Sequence, residues 1–556
     1  MSEPRATHDD GATHEVFNQP PPLEGLDAYS EDAALTEAVE RYVPEPAPER
    51  LRRLGRWVLA PQTQELARLA NACPPVLHSH DRYGNRIDEV AYHPAYHDLL
   101  GRAVAEGIHS LPFANPGPGA HVVRAAAAFL FNHAEIGVLC PVTMTFAGVP
   151  CLRQQPDIAA IWQERVISND YDRRFIPAHE KSGAMLGMAM TEKQGGSDVR
   201  SNTTRAEPVD GGGPGAAYSL TGHKWFCSAP MCDAFLTLAQ APGGLSCFLV
   251  PRFLPDDTRN AFLIQRLKDK LGNRANASSE IEYRNAYALM VGEEGRGVRT
   301  IIEMVHHTRL DVAISSAGIM RNAVMRAAHH AAHRTAFQKR LTDQPAMRRL
   351  LADLALESEA ATALVIRIAK AFDAGDSDPA ETLFARIAVA VAKFWVCKRV
   401  TPLVAEALEA HGGNGYVETW PVARLYREAP LNGIWEGASN VMALDVLRAI
   451  SREPGSLEAL WAEFKAARGA DRRLDAHLET TETLLAQARE ADARRVATVL
   501  ALALQGALLV RHAPPHVADA FCAGRLGDAP GLAYGLLPDG LDEERIVARA
   551  TPRLYG

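Results

Sequence analysis

The chain has 556 residues, 47% hydrophobic and 23% charged, enough for several domains around a large core. Its formal net charge of -8 argues against a protein that coats nucleic acid through bulk charge and leaves only local basic patches for such a role. The eight cysteines (73, 140, 151, 227, 232, 247, 397, 522) form no CxxC pair and no zinc-like spacing, which predicts reduced thiols, a cytoplasmic setting and no structural metal.

Residues 1–24 read as an N-terminal arm with no secretory core, ending in Pro20–Pro22. Its Val16 and Phe17 could pack on a neighbouring subunit, or the arm could be disordered. Residues 25–183 read as a helical domain, with apolar positions three and four apart in Ala33–Tyr42 and Gln62–Ala72 and prolines 44, 46 and 48 between the first two helices. Residues 184–292 change texture. Short β-prone runs such as Ala217–Leu220, Ala234–Leu238 and Cys247–Val250, separated by Gly, Pro, Asn and Asp, predict a compact β domain. Helical periodicity returns over 293–452, in long segments at 297–339, 345–373 and 379–410. Residues 453–556 form a further helical region. There the apolar run Val496–Val510, interrupted by Gln505, reads as a buried helix short of a membrane span. Helices, then strands, then helices give an α+β class. No βαβ alternation and no GxGxxG after a strand point to a Rossmann site.

Four stretches carry candidate chemistry. In LNGIWEGASNVMAL (431–444) Glu436 is the sole carboxylate, set beside Trp435; an acid against a large apolar ring has a raised pKa and suits a base near neutral pH. The same glutamate could simply complement the dipole of the helix that follows it. In AMTEKQGGSDVRS (189–201) Gly195 and Gly196 permit close approach, and Thr191 and Ser197 can donate hydrogen bonds. Histidines 306, 307, 329, 330 and 333 have no nearby Cys or acid to complete a metal set. Residues 453–556 hold 12 Lys/Arg against 15 Asp/Glu, a net of -3. Arg472, Arg473, Arg489, Arg494 and Arg495 cluster there, and a solvated helix face is the simpler reading than a double-stranded DNA contact.

The stretch 189–201 resembles the first signature of the acyl-CoA dehydrogenase family. EAHGGNGYVETWPVARLYRE (409–428) resembles the second, departing at Thr419. HEVFNQPPPL, MTEKQGGSDVRSNTT, GHKWFCSAP, LKDKLGNRANASSEIEY and LYREAPLNGIWEGASN are similar to the AidB branch, flavoproteins of the bacterial response to DNA alkylation. The resemblance implies the acyl-CoA dehydrogenase-like fold: an N-terminal helical domain, a central β domain and a C-terminal helical bundle, plus the branch's extra C-terminal helices. It implies bound FAD, a homotetramer, no membrane, and an acyl-CoA or similar small substrate. Dehydrogenation could be weak or vestigial, with DNA binding as the main role. It places Met190, Thr191 and Ser197 against the cofactor. With Lys224 aligned, Phe226, Cys227 and Ser228 cover and bond the flavin, and Trp435 and Asn440 belong to the segment that closes over it. Arg334 and Phe337 match an element that reaches a neighbour's FAD, although Gln338 replaces the usual glycine. Glu436 aligns with the catalytic base. Some relatives carry that base on an earlier helix, where this chain offers only Asp311 between 309 and 334. A DNA contact would fall to Arg472, Arg473, Arg494 and Arg495.

Overall fold

A computed structural model describes residues 13–44, 48–527 and 531–554; the first twelve residues of the arm and Pro46 lie outside these. Helices from Ala33–Tyr42 to Pro156–Val166 build the N-terminal layer. One element there departs from the all-helical reading. Val76–His80 and Arg86–Ala91 pair as an antiparallel hairpin. Its turn is tied by Asp81, whose Oδ1 accepts from the backbone N–H of Tyr83 and Asn85. Alternation in RIDEVA and the DRYGN turn signalled it, but the run is short and lies between helices.

The central sheet runs in the order Leu186–Ala189, Ala234–Ala241, Arg205–Pro208, Ala217–Ser228, Ser278–Val291, Gly244–Pro251, with Phe262–Leu267 also on Ser278–Val291. The register between Ala217–Ser228 and Ser278–Val291 shifts between Lys224 and Cys227. Such an irregularity re-aims side chains. Here it leaves Phe226 47% exposed, while Cys227 is fully buried.

Behind the sheet stand three long helices, Gly297–His333, Pro345–Ala374 and Pro379–Ala410. Small residues let the first approach its neighbours closely: a Cβ on Gly318 would lie 2.6 Å from the Phe129 carbonyl oxygen. The extra C-terminal helices pack on this bundle. Their apolar helix, Ala493–His512, is longer than the apolar run suggested. By length and composition the stretch Glu490–His512 could cross a membrane, yet 67% of its apolar window is buried inside the protein.

The arm's described end is held by its own chain. Asn18 Nδ2 donates to the Thr335 carbonyl (2.9 Å), and the Thr335 N–H returns a bond to Asn18 Oδ1 (2.8 Å). Val16 and Phe17 remain exposed beside this clasp.

The contact that shapes the loop after Leu186–Ala189 is a fully buried ion pair, Glu192 with Lys224 (2.9 Å). Glu192 also accepts from the N–H and hydroxyl of both Thr203 and Thr204, and Lys224 donates to the Leu238 carbonyl. Burial alone would raise the Glu192 pKa; the Lys224 ammonium and these hydrogen bonds hold it well below the usual carboxylate range. Removing one member of such a pair strands the other, at about 3–5 kcal/mol. Lys224→Met should therefore lower the urea midpoint strongly, and adding Glu192→Gln should recover part of the loss. Equal midpoints for Lys224→Met and the parent would refute this.

Candidate active site

Glu436 does not cap the helix that follows. That helix, Ser439–Arg452, starts at an Ala438 cap with no side-chain bond. Glu436 stands before it in the left-handed region (φ 58). A non-glycine residue there is strained by about 1–2 kcal/mol. The turn aims the carboxylate at the long helix Gly297–His333, where the Thr308 hydroxyl donates to Glu436 Oε2 at 2.5 Å. Gly437, at φ 102, has no room for a side chain: a Cβ would come within 2.6 Å of Met442 Cε.

Three cations brace this turn. Arg309 Nε donates to the Glu436 carbonyl (3.1 Å), and its Nη1 pairs with Asp445 (2.9 Å). Arg386 reaches the other oxygen of Asp445 (3.2 Å), and Lys393 Nζ donates to the Gly437 carbonyl. Trp435 is anchored edge-on, its Nε1 donating to Asn432 Oδ1 (2.9 Å). Burial raises the Glu436 pKa; the Thr308 hydrogen bond and the charges of Arg309 and Lys393 offset part of the rise. Asp311 cannot act as the base. Its carboxylate is buried and taken by both terminal nitrogens of Arg124 and by the Thr143 hydroxyl (2.7 Å).

The sheet side supplies a second group. Met190 and Thr191 leave the end of Leu186–Ala189, and the Trp225 N–H bonds the Thr191 carbonyl (2.8 Å), so the first signature lies against Trp225–Phe226. Ser228 Oγ is 3.1 Å from Ser278 Oγ, which accepts from Lys270 Nζ (2.9 Å). Cys140 joins the two groups. Burial pushes its thiol up to about 11, and Lys270, Ser228 and Glu436 all act on it.

Other sequence candidates lie elsewhere. Arg334 caps the far end of the long helix, roughly 37 Å from Arg309 at about 1.5 Å per residue, with Nη1 donating to the Asn18 carbonyl (2.5 Å). Phe337 (φ 50, 93% exposed) and Gln338 (φ 64) form the turn between Thr335–Ala336 and Lys339–Arg340, so Gln338 takes the backbone conformation usual for glycine. Arg473 is engaged by Asp471 and Asp519. Arg494 donates to Asn440 Oδ1 (2.8 Å) at the surface, and Arg472, Arg494 and Arg495 are all exposed. The histidines pack in tilted pairs within the fold: His329 with His333 (4.4 Å between rings) and His330 with His411 (4.6 Å). Sequence reasoning missed Thr308, Arg309, Lys393 and Glu192; nothing in HHTRLD or VAKFW distinguishes those positions from ordinary helix residues.

With three helical and β layers closing on one glutamate, the architecture is that of an acyl-CoA dehydrogenase. Residues 187–286 match the middle domain of that family and 295–451 its C-terminal domain. Residues 18–173 match the N-terminal domain of the adaptive response protein AidB. The chain is 44% identical over 522 residues to AidB of Escherichia coli (strain K12), spanning 94% of this chain and 96% of that one. It belongs to the AidB branch of the acyl-CoA dehydrogenase family. ACDH-11 of Caenorhabditis elegans, solved in complex with C11-CoA, is 28% identical with a TM-score of 0.86, covering 95% of this chain and 96% of that one. An acyl-CoA dehydrogenase from Bacillus anthracis complexed with FAD shares the fold at 17% identity and a TM-score of 0.66, covering 87% of each chain. Homologues in this family bind FAD.

Thr308→Val removes the one hydrogen bond that the Glu436 carboxylate accepts among the described residues, and so one of the influences that lower its pKa. NMR titration of the labelled Glu436 carboxyl should then show its midpoint move to higher pH. An unchanged or lower midpoint would contradict the geometry.

Proposed function

We propose that this protein is an FAD-dependent acyl-CoA dehydrogenase-like oxidoreductase in which Glu436 is the general base. One observation carries the reading: Glu436 is a half-buried carboxylate with a raised pKa, aimed by a strained turn and met by Thr308, while Asp311 is fully engaged. The residues fit the cofactor. Among the described residues neither the Thr191 nor the Ser197 hydroxyl has a hydrogen-bond partner, the Phe226 side chain is 47% exposed, and Gly195 has open space beside it. Met190, Thr191, Ser197 and Phe226–Ser228 would hold the ring system, with Trp435 and Asn440 on the other side. When bound, FAD supplies a two-electron acceptor for a hydride.

The chain's own part is acid–base chemistry and exclusion of water. A thioester entering between Ser228 and Glu436 would present its α-carbon to the carboxylate, and Glu436 Oε would take the α-proton. Burial makes the carboxylate a stronger base than a solvated one. The bracing of Arg309 and Lys393 fixes the backbone, so the oxygen does not swing away. Glu436→Gln keeps the shape and removes the basic lone pair. It should retain FAD and thioester while slowing flavin reduction by about 10²–10⁴. Reduction at the parent's rate would exclude Glu436 as the base.

A second reading, DNA binding in protection from alkylation, is supported by the exposed Arg472 and Arg495. Arg473 and Arg494 already have partners within the fold. Arg472→Ala with Arg495→Ala should weaken duplex binding and flatten the log–log salt slope by roughly 2. Unaltered affinity and slope would remove these two residues from any DNA surface.

A further inference from the structure

Two further carboxylates are buried, and the cations around them bond elsewhere. Glu135 is 1% exposed and Glu428 2%. Glu135 Oε1 accepts from the Gly137 N–H (2.8 Å) and its Oε2 from Asn71 Nδ2. Glu428 Oε1 accepts from the Asn273 N–H (2.6 Å), while its Oε2 is buried without a partner. On the helix of Glu428 itself, Arg424 Nη2 donates to the Ala134 carbonyl (3.1 Å) and Arg427 pairs with Glu418. Lys270 Nζ donates to the Asn276 carbonyl (2.7 Å) and to Ser278 Oγ (2.9 Å). Arg326, on the long helix, bonds Asn322 and Gln64.

The two acids grip one loop, residues 268–277. A Cβ on Gly272 would lie 2.4 Å from the Arg427 carbonyl oxygen and 3.2 Å from Glu428 Cα. One on Gly137, whose N–H Glu135 holds, would lie 3.3 Å from the Asn276 nitrogen. Asn273 stands in the left-handed region (φ 54), and its Nδ2 and both polar side-chain atoms of Asn276 have no partner. The loop is thus tied weakly by its own amides, and the bond from Asn273 to Glu428 is a fixed point.

A buried ionised carboxylate without a paired cation is costly, and two close together disfavour each other's ionisation. Glu135, with both oxygens hydrogen-bonded and the Arg424 charge acting on it, is the better placed to ionise. Glu428, with one bare oxygen, holds the proton. Burial, then the Glu135 charge, push Glu428 up to about 7.

We propose that Glu135 and Glu428 share one proton and act as a pH-sensitive latch on the loop 268–277, which carries Lys270 to Ser278 and so to the Ser228 wall of the candidate site. When the loop lifts, water reaches Glu428 and its pKa returns toward the ordinary glutamate value of about 4.3. Between that value and about 7 the closed loop keeps a proton that the open loop releases. Closure is therefore firmest at acid pH and weakens as pH rises to about 7. Lifting withdraws Lys270 from Ser278, whose Oγ is 3.1 Å from Ser228 Oγ. That consequence for the cofactor wall rests on the function proposed above; the latch rests on the two acids and the loop.

The test is hydrogen–deuterium exchange of the full chain with FAD added, read in peptides covering 271–277 across neutral and mildly acid pH and corrected for intrinsic exchange. Protection should fall by about tenfold per pH unit and level off above about 7, as one proton released on opening requires. Glu428→Gln keeps the shape of the protonated acid and should flatten the profile at its protected, acid level. Glu135→Gln removes the neighbouring charge, so levelling should come at a lower pH. Parent protection that does not change with pH overturns the proposal, and so does an unchanged slope in Glu428→Gln. The parent profile decides the first point even where a variant fails to fold. Flavin reduction enters none of these readouts, so failure of the latch and failure of Glu436 as the base are told apart.

Discussion

The buried pair of Glu192 and Lys224 is the constraint on which the site depends. The loop after Leu186–Ala189 carries two glycines and several polar side chains, and nothing apolar anchors its tip. Its fixed point is a carboxylate with six donors around it, four from Thr203 and Thr204 and one each from Lys224 and Gln194. Full satisfaction matters more than charge attraction here, because a buried ion with spare lone pairs would cost more than the pairing returns. With the loop clipped to Ala217–Ser228, Thr191 lies beside Trp225. The register shift after Lys224 then turns Phe226 outward at the edge of the same groove.

The opposite wall is built on a different principle. Glu436 is held by backbone strain and by cations that bond its own backbone carbonyl and that of Gly437 rather than its carboxylate. Direct ion pairing would have fixed it equally well but lowered its pKa and its use as a base. Asp445 takes that charge instead, receiving Arg309, Arg386 and Arg448. The extra C-terminal helices take part as well. Arg494 bonds Asn440 at the start of the helix after Glu436, and Trp395 Nε1 donates to Gln505 Oε1 (3.0 Å). The added region is thus a support for the turn that carries Glu436 as well as a surface.

Layer order, the sheet's place in the chain and the family were legible because they rest on local signals: periodicity, turn residues and two long motifs. The hairpin at 76–91 was overlooked because five residues between helices are too short a run to override helical context. The braces were illegible for a different reason. Thr308, Lys393 and Asp445 are 44 to 136 residues from the partners they serve, and on their own helices each looks like a routine polar position. Arg494 shows a contact of the same illegible kind. It sits in a basic cluster and is exposed, yet its guanidinium also bonds Asn440, a partner 54 residues away that sequence spacing does not reveal.

Whether Glu436 removes an α-proton is tested most directly by the isotope dependence of flavin reduction in the unmodified protein. A thioester that bleaches the bound FAD is compared with the same compound deuterated at its α-carbon, anaerobically and across pH. The account predicts slower bleaching of the deuterated thioester, with both rates falling as pH drops through the raised pKa of Glu436. Equal rates for the two thioesters and no dependence on pH, or an FAD that no thioester reduces, would contradict it.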